Sequence, residues 1–263
     1  MAKIVFSGAC GKMGKEISKY LLELPEYEIV GFIDVVNIGK EIGEILGGVS
    51  LGKTVEGDLL EVINREQPDI MLDFSRADGA YQNILVALNN SVRVVSGTTG
   101  FTEEQLKKIE EVSSEKGIGC IIAPNFSLGA LLMIKLAEMA ATYFSEVEII
   151  EYHHPFKVDA PSGTALKTAA AINSVRKKLD KVIKEEIKIP GSRGGDLEGI
   201  KVHSVRLPGL VAHQEVLFGG KGQSLTIRHD VYSRESYLDG ILFAFKKVLE
   251  LNKFYFGLES LLF

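Results

Sequence analysis

Ile4-Val5-Phe6-Ser7-Gly8-Ala9-Cys10-Gly11-Lys12-Met13-Gly14 is the stretch that decides the first half of the fold. Three consecutive large apolar residues read as a short strand buried on both faces, the kind found inside a parallel sheet. Met13, Ile17, Tyr20, Leu21 and Leu24 then recur at helical spacing. Between strand and helix lies a GxxGxxG loop. Gly8 permits a tight turn, Gly11 lets the backbone approach a pyrophosphate, and Gly14 lets the helix lie close to the strand. The helix start adds unpaired N–H donors and the positive end of a dipole. The spacing departs from the commoner GxGxxG, and such a loop alone also describes a turn with no ligand. Asp34 alters the balance. It ends the second strand, twenty residues beyond Gly14, where an acid would accept hydrogen bonds from ribose hydroxyls. Loop and acid together point to a nicotinamide dinucleotide.

Working outward, β-rich runs alternate with helical patterns: Tyr27–Ile33, Ile70–Phe74, Val92–Val95 and Gly119–Ile122 read as strands. Thr102-Glu103-Glu104-Gln105 has the form of a capping box opening a charged helix, and Gly117 would stop it. Each strand runs out into a polar turn, including Asp34, Ser75, Ser96-Gly97-Thr98-Thr99 and Pro124-Asn125. Ligands of open α/β sheets bind at those carboxyl ends. After Phe126 the pattern changes. Leu128–Phe144 reads as a long, mostly apolar and hence buried helix, Val147–Tyr152 as a strand, and a helix should follow through about Lys178. Ile200–Arg206, Ala212–Phe218 and Gln223–Asp230 look like longer strands, the last two joined as a hairpin by Gly219-Gly220-Lys221-Gly222. A final helix is expected over Arg234–Leu251. The expected class is α/β: a Rossmann-type parallel-sheet domain over 1–126 and 235–263, and an α+β domain over 127–234.

The 263 residues, 46% apolar and 25% charged, suit a globular protein of two domains. A formal charge of −5 makes nucleic acid or an anionic membrane a poor partner. No apolar run approaches the roughly 18 residues of a bilayer span. Met1-Ala2-Lys3 leads directly into Ile4, leaving no room for a signal peptide, and two cysteines make no disulfide framework. A cytoplasmic protein is expected.

The chemistry concentrates in Glu151-Tyr152-His153-His154-Pro155-Phe156-Lys157-Val158-Asp159-Ala160-Pro161-Ser162-Gly163-Thr164-Ala165. Ser162 is a good N-cap, leaving the N–H groups of Gly163 and Thr164 free to hold a carboxylate; alone, the same pattern is a plain cap. On a strand the side chains of His153 and His154 point to opposite faces, which argues against a shared metal ion. No metal is expected. A lone histidine or lysine is more often structural or solvated, but two imidazoles and Lys157 beside a carboxylate cradle suit proton transfer to a small anion. Glu151 and Asp159 either orient these cations or are surface acids.

This run, together with GACGKMG, Gly97-Thr98-Thr99-Gly100 and Ala123-Pro124-Asn125-Phe126-Ser127, closely resembles the dihydrodipicolinate reductase family of the diaminopimelate and lysine pathway, over essentially the whole chain. The resemblance implies a Rossmann domain, a second domain for substrate and tetramer contacts, and a hinge. It implies cofactor contacts from Gly8, Ala9, Cys10, Gly11, Lys12, Met13, Asp34, Gly97, Thr98, Thr99, Ala123, Pro124, Asn125 and Phe126. It makes His153 and Lys157 the proton carriers, His154, Gly163 and Thr164 the substrate contacts, and the final helix a return to the first domain. The implied reaction is NAD(P)H-dependent reduction of a cyclic imine dicarboxylate to tetrahydrodipicolinate. Many members carry arginines where this chain has Lys12 and Val35, so NADH is expected in preference to NADPH, with some NADPH use alongside. Two rivals share the loop and Asp34: another two-domain NAD(P)-dependent dehydrogenase, which has no reason to keep the fifteen-residue run, and a non-catalytic NAD(H) sensor, which needs no proton carriers.

Overall fold

Strands and helices alternate from the N-terminus in the computed structural model, which describes residues 1–177 and 186–263. The chain divides into two units, Met1–Ser127 with Arg234–Phe263, and Leu128–Ser233. In the first, β1 (Ala2–Ser7), α1 (Lys12–Leu22), β2 (Tyr27–Ile33), α2 (Ile42–Leu46), β3 (Val55–Glu56), α3 (Leu59–Glu66), β4 (Ile70–Asp73), α4 (Ala77–Asn89), β5 (Arg93–Ser96), α5 (Glu103–Lys116) and β6 (Cys120–Ile122) follow in order. The second holds α6 (Leu128–Ala141), β7 (Glu146–His153), α7 (Gly163–Val175), β8 (Gly195–Leu197), β9 (Ile200–Arg206), β10 (Ala212–Gly220) and β11 (Gln223–Val231). The chain then returns to the first unit through a 3₁₀ turn (Arg234–Tyr237), α8 (Leu238–Glu250), β12 (Phe254–Phe256) and α9 (Glu259–Leu262).

The first sheet is parallel throughout, in the order β12-β6-β5-β4-β1-β2-β3. The six strands from β3 to β6 follow the order of a doubly wound dinucleotide fold, whose switch point lies between β1 and β4. Ile4, Val5 and Phe6 are fully buried, as strands covered by helices on both faces must be. α5 is closed as its local sequence demands: Thr102 Oγ1 accepts from Gln105 N–H, Gln105 Oε1 accepts from Thr102 N–H, and Gly117 takes a left-handed φ of 66°. α8 buries Ile241, Ala244, Phe245 and Val248 at i, i+3, i+4 and i+7, each large side chain contributing about 1.5–3 kcal/mol. The expected single helix over Arg234–Leu251 instead begins as a 3₁₀ turn. β12, which the sequence reading did not anticipate, extends the sheet beyond β6.

The second sheet is mixed, in the order β11-β10-β7-β9-β8; only β7 and β9 run parallel. Its hairpin turns at Lys221-Gly222, where Gly222 has φ 72°. Val147, Ile149, Ile200, Val202, Val216 and Phe218 pack with Met133, Ile134, Ala137, Ala165, Ala169 and Ile172 of α6 and α7 into one core. α6 departs from the expectation of a buried helix. It ends at Ala141, and Leu132, Leu136 and Met139 on its outer side are exposed, because one sheet face can cover only one stripe of a helix. α7 ends at Val175, with Arg176 already extended; Lys178, the expected end, lies outside the described residues. Among the described residues no helix is long and apolar enough to cross a membrane.

Candidate active site

In the first unit the glycine loop wraps the switch point. Gly8 N–H donates to Ile33 O at 2.8 Å, and Gly11 N–H to Gly8 O at 3.2 Å, closing a tight turn. Gly14 is dictated by contact: a Cβ there would meet Gly8 O at 2.2 Å and the backbone of Ala9 at 2.7 Å. α1 follows Gly11 as its N-cap, with no side-chain cap and no acidic residue in its first turn, so its leading N–H groups remain available to an anion. Gly11, Lys12 and Met13 line a cleft of about 600 Å³ with Phe74, Ser75, Arg76, Ala77, Gly97, Thr98 and Thr99. Gly8 and Ala9 lie buried behind it.

Asp34 is anchored by backbone. Its Oδ2 accepts from Cys10 N–H at 2.8 Å, and its Oδ1 from Val35 N–H at 2.8 Å and Val36 N–H at 3.2 Å. The carboxylate therefore ties the glycine loop to the end of β2 and retains acceptor capacity on Oδ2. Burial, then the Asp34 charge, pushes the Cys10 thiol up, which keeps it a neutral loop residue.

The turn after β5 has its own organiser. Asp73, wholly buried at the end of β4, accepts from Ser75 Oγ at 2.6 Å, Ser96 Oγ at 2.8 Å and Thr98 Oγ1 at 2.7 Å. Three hydroxyls satisfy the buried charge and lock the Gly97–Thr99 turn against Ser75. Ala123 N–H donates to Ser96 O at 2.9 Å, Asn125 Oδ1 caps Ser127 N–H at 2.9 Å, and Pro124 is exposed. Phe126 is buried, its ring 5.7 Å from that of Phe74. Ala123 to Phe126 thus lie beside the turn from Gly97 to Thr99, outside the lining of the cleft itself.

The second unit gathers the charged run. Residues alternate along β7, so Val147, Ile149, Glu151 and His153 share the core face. The face changes from apolar to ionic within two positions. Glu151 is completely buried; His153 Nδ1 lies 2.5 Å from its Oε2, and Arg206 grips both oxygens, at 2.8 Å from Nη1 and 2.7 Å from Nη2. Strand pairing imposes this, since β7 and β9 place Ser204 opposite Glu151 and Arg206 opposite His153. Burial alone would raise the Glu151 carboxyl, but hydrogen bonds from Arg206, Ser204 and His153 hold it below the usual range. Burial draws His153 below 6.5, against the upward pull of Glu151 and with help from Lys157 and Arg206.

His154 has left the strand and is exposed, its ring 6.3 Å from that of Phe156. Lys157 Nζ pairs with Asp159 Oδ1 at 2.8 Å, and Asp159 O accepts from Arg206 Nη2 at 2.8 Å. Ser162 caps α7, its Oγ accepting from Ala165 N–H at 3.2 Å. The N–H groups of Gly163 and Thr164 sit in the uncommitted first turn, and the space beside Gly163 is open. The unit thus holds an oriented imidazole, an ammonium and a helix start with uncommitted N–H groups along one short stretch of chain. Among the described residues no cluster of His, Cys, Asp or Glu suits a metal ion.

Residues 2–126 match the family described as dihydrodipicolinate reductase, N-terminus, and residues 129–262 its C-terminal counterpart. The chain belongs to the dihydrodipicolinate reductase family. It is 71% identical over 263 residues to the 4-hydroxy-tetrahydrodipicolinate reductase of Carboxydothermus hydrogenoformans, all of both chains being covered. The corresponding enzyme of Syntrophomonas wolfei is 45% identical, with 99% of this chain and 98% of the relative covered. The dipicolinate-bound dihydrodipicolinate reductase from Paenisporosarcina sp. TG-14 superimposes with a TM-score of 0.90 at 42% identity, covering 99% of each chain. An amine dehydrogenase from Mycobacterium smegmatis, at 14% identity, a TM-score of 0.64 and 96% and 93% coverage, shares the fold. Members of the reductase family are NAD(P)H-dependent oxidoreductases that reduce the dihydrodipicolinate ring in diaminopimelate and lysine biosynthesis, and this chain is an oxidoreductase of that kind.

Several residues that shape the cleft of the first unit and the charged run of the second carry little signal in the sequence. Arg76 lines the cleft through the turn after β4, where only Ser75 stood out. Asp73 reads as a strand end. Arg206 closes an ordinary-looking strand, and its role arises from pairing with residues 55 positions away. Glu151 did carry a signal: it continues the Val147, Ile149 alternation toward His153.

Proposed function

We propose that the first unit binds the nicotinamide cofactor and the second unit the dianionic ring, with His153 and Lys157 as its proton carriers. The residues of the first unit fit the cofactor on structural grounds: a loop where a Cβ on Gly14 has no room, an uncapped helix start, and a cleft of about 600 Å³. Gly8 to Met13, Gly97 to Thr99 and Ala123 to Phe126 would hold it, with Asp34 at a ribose. The bound nicotinamide would supply the hydride. Asp34 stands next to Val35 and Val36, both exposed, and its charge opposes a 2′-phosphate; NADH is preferred and NADPH used less well.

In the second unit the N–H groups of Gly163 and Thr164 and the ring of His154 bind carboxylates, as helix starts do. The relative from Paenisporosarcina sp. TG-14 binds dipicolinate, and the same planar dianion suits this cradle. His153 and Lys157 protonate the carbon of the enamine that hydride addition would leave, a role that general acids fill with about 10²–10⁴-fold of the rate. The carrying observation is the buried Glu151 at 2.5 Å behind His153, which gives that imidazole a fixed direction. A homotetramer in the cytoplasm completes the reading.

The test supplies the condensation product of aspartate semialdehyde and pyruvate and follows NADH oxidation. Saturable turnover is expected, with His153→Ala and Lys157→Ala each losing about 10²–10⁴-fold in kcat while NADH affinity holds. Near-normal turnover in either variant removes that residue from its role.

A further inference from the structure

Glu151 is a fully buried carboxylate, and such a group persists only with partners that compensate its charge. We infer that Glu151 and Arg206 are a charge-balanced positioning pair: Glu151 fixes the tautomer of His153, and Arg206 anchors Glu151 and the Lys157 segment to one point. This rests on His153 being a proton carrier.

The tautomer follows from donor counting. Both Glu151 oxygens accept from Arg206, and an ionised carboxylate can only accept, so the hydrogen at the His153 contact sits on Nδ1. Neutral His153 then keeps its lone pair on Nε2. The imidazolium carries the transferable proton at Nε2; when that proton passes to the substrate carbon, the Nδ1 proton stays with Glu151. Each turnover thus begins and ends with the ring in one orientation.

Arg206 adds a mechanical link. The same Nη2 that donates to Glu151 Oε1 also donates to Asp159 O, and the Asp159 carboxylate holds Lys157 Nζ. One guanidinium therefore sets both proton carriers. The charged groups facing His153 are Glu151 from its own strand, Arg206 from β9, and Lys157, with its partner Asp159, from the following segment. Opposite it, β10 offers Ala212 at His153 and Gln214 at Glu151, neither titratable. The titratable residue of α7, Lys167, is exposed.

This arrangement makes two substitutions act in opposite directions. Glu151→Gln deletes the anion that favours the imidazolium; Arg206→Met deletes a cation that opposes it. In the full-length protein, the limb of the kcat–pH profile that disappears in His153→Ala should move to lower pH by about 1 unit or more in Glu151→Gln, and to higher pH in Arg206→Met. Glu151→Gln should also lose at least about tenfold in kcat, within the range proton transfer contributes. NADH affinity, read separately by fluorescence, should be unchanged. A merely structural pair would lower stability and rate without moving the limb in opposite directions. A limb unmoved, or moved the same way in both folded variants, overturns the inference. Should Glu151→Gln fail to fold, ¹⁵N NMR of the wild-type histidines, assigned with His153→Ala, decides: neutral His153 protonated at Nδ1 is expected, and protonation at Nε2 overturns it. Full turnover in His153→Ala would instead mean that the proton-carrier reading has failed.

Discussion

Replacing Asp34 by asparagine tests the proposed cofactor site at one atom. The carboxylate accepts Cys10 N–H on one oxygen and Val35 and Val36 N–H on the other. An amide has one acceptor oxygen and one NH₂ group, so it can serve only one of these sides. If its oxygen stays with Val35 and Val36, the NH₂ faces Cys10 N–H, and two donors oppose each other in the glycine loop. A half-buried N–H left without an acceptor costs about 1–2 kcal/mol, and the loop relieves it by loosening from β2. NADH affinity should therefore fall about 5- to 30-fold, before any loss of charge at the ribose is added. NADPH should suffer less, because removing the negative charge also removes repulsion of a 2′-phosphate. Fluorescence titration of both dinucleotides with the wild type and Asp34→Asn measures each arm. Asp34→Asn binding NADH within twofold of the wild type, or an unchanged NADH-to-NADPH ratio, would refute the reasoning.

Gly14→Ala must push α1 from the loop, since its Cβ would lie 2.2 Å from Gly8 O; a loss of about 1–3 kcal/mol and weaker NADH binding are expected from melting curves and titration. Gly163→Ala is the contrasting case, with nothing within 4 Å of its Cβ, and should change stability by no more than about 0.5 kcal/mol. Ser162→Ala removes the acceptor for Ala165 N–H and should cost about 0.5–2 kcal/mol; an unchanged melting temperature would contradict the cap. Acidification should destabilise the protein in two stages. Burial holds the folded-state values of His153 and His229 below 6.5, so their contribution is whole above that pH and lost as pH falls. Glu148 and Glu151 are pulled toward higher values by burial but held below 4.5 by Arg193 and His203, and by Arg206, Ser204 and His153; their contribution is lost on further acidification. A melting temperature that stays flat or rises from about pH 7.5 to about pH 4 would contradict both.

Legibility followed the range of the interaction. The capping box at Thr102 and Gln105 and the Ser162 cap could be read directly because their partners lie three residues away. The first strand, the glycine loop and α1 were equally plain, since a continuous apolar run and helical periodicity are properties of adjacent residues. Features decided across the sheet were not visible. β12 is three residues long, and only the free edge of β6 makes it a strand. Asp73 became the organiser of the Gly97–Thr99 turn because β4 and β5 bring Ser96 and Thr98 to it from 23 and 25 residues away. α6 is mostly apolar, with Leu132, Leu136 and Met139 outside as well as an apolar stripe inside, so composition could not say which side the sheet would cover.

The charged run shows the same division inside fifteen residues. By itself the sequence determined which imidazoles and which ammonium the run contains and that a capped helix starts beside them, for residue type and local hydrogen bonding settle both. It could not determine whether Glu151 was a surface acid or a buried, paired one. Only the tertiary structure decided that, by pairing β7 with β9 so that Arg206 stands opposite His153. The buried Glu151 carboxylate is held ionised chiefly by a distant cation delivered to it, and delivery across 55 residues is a property of the fold.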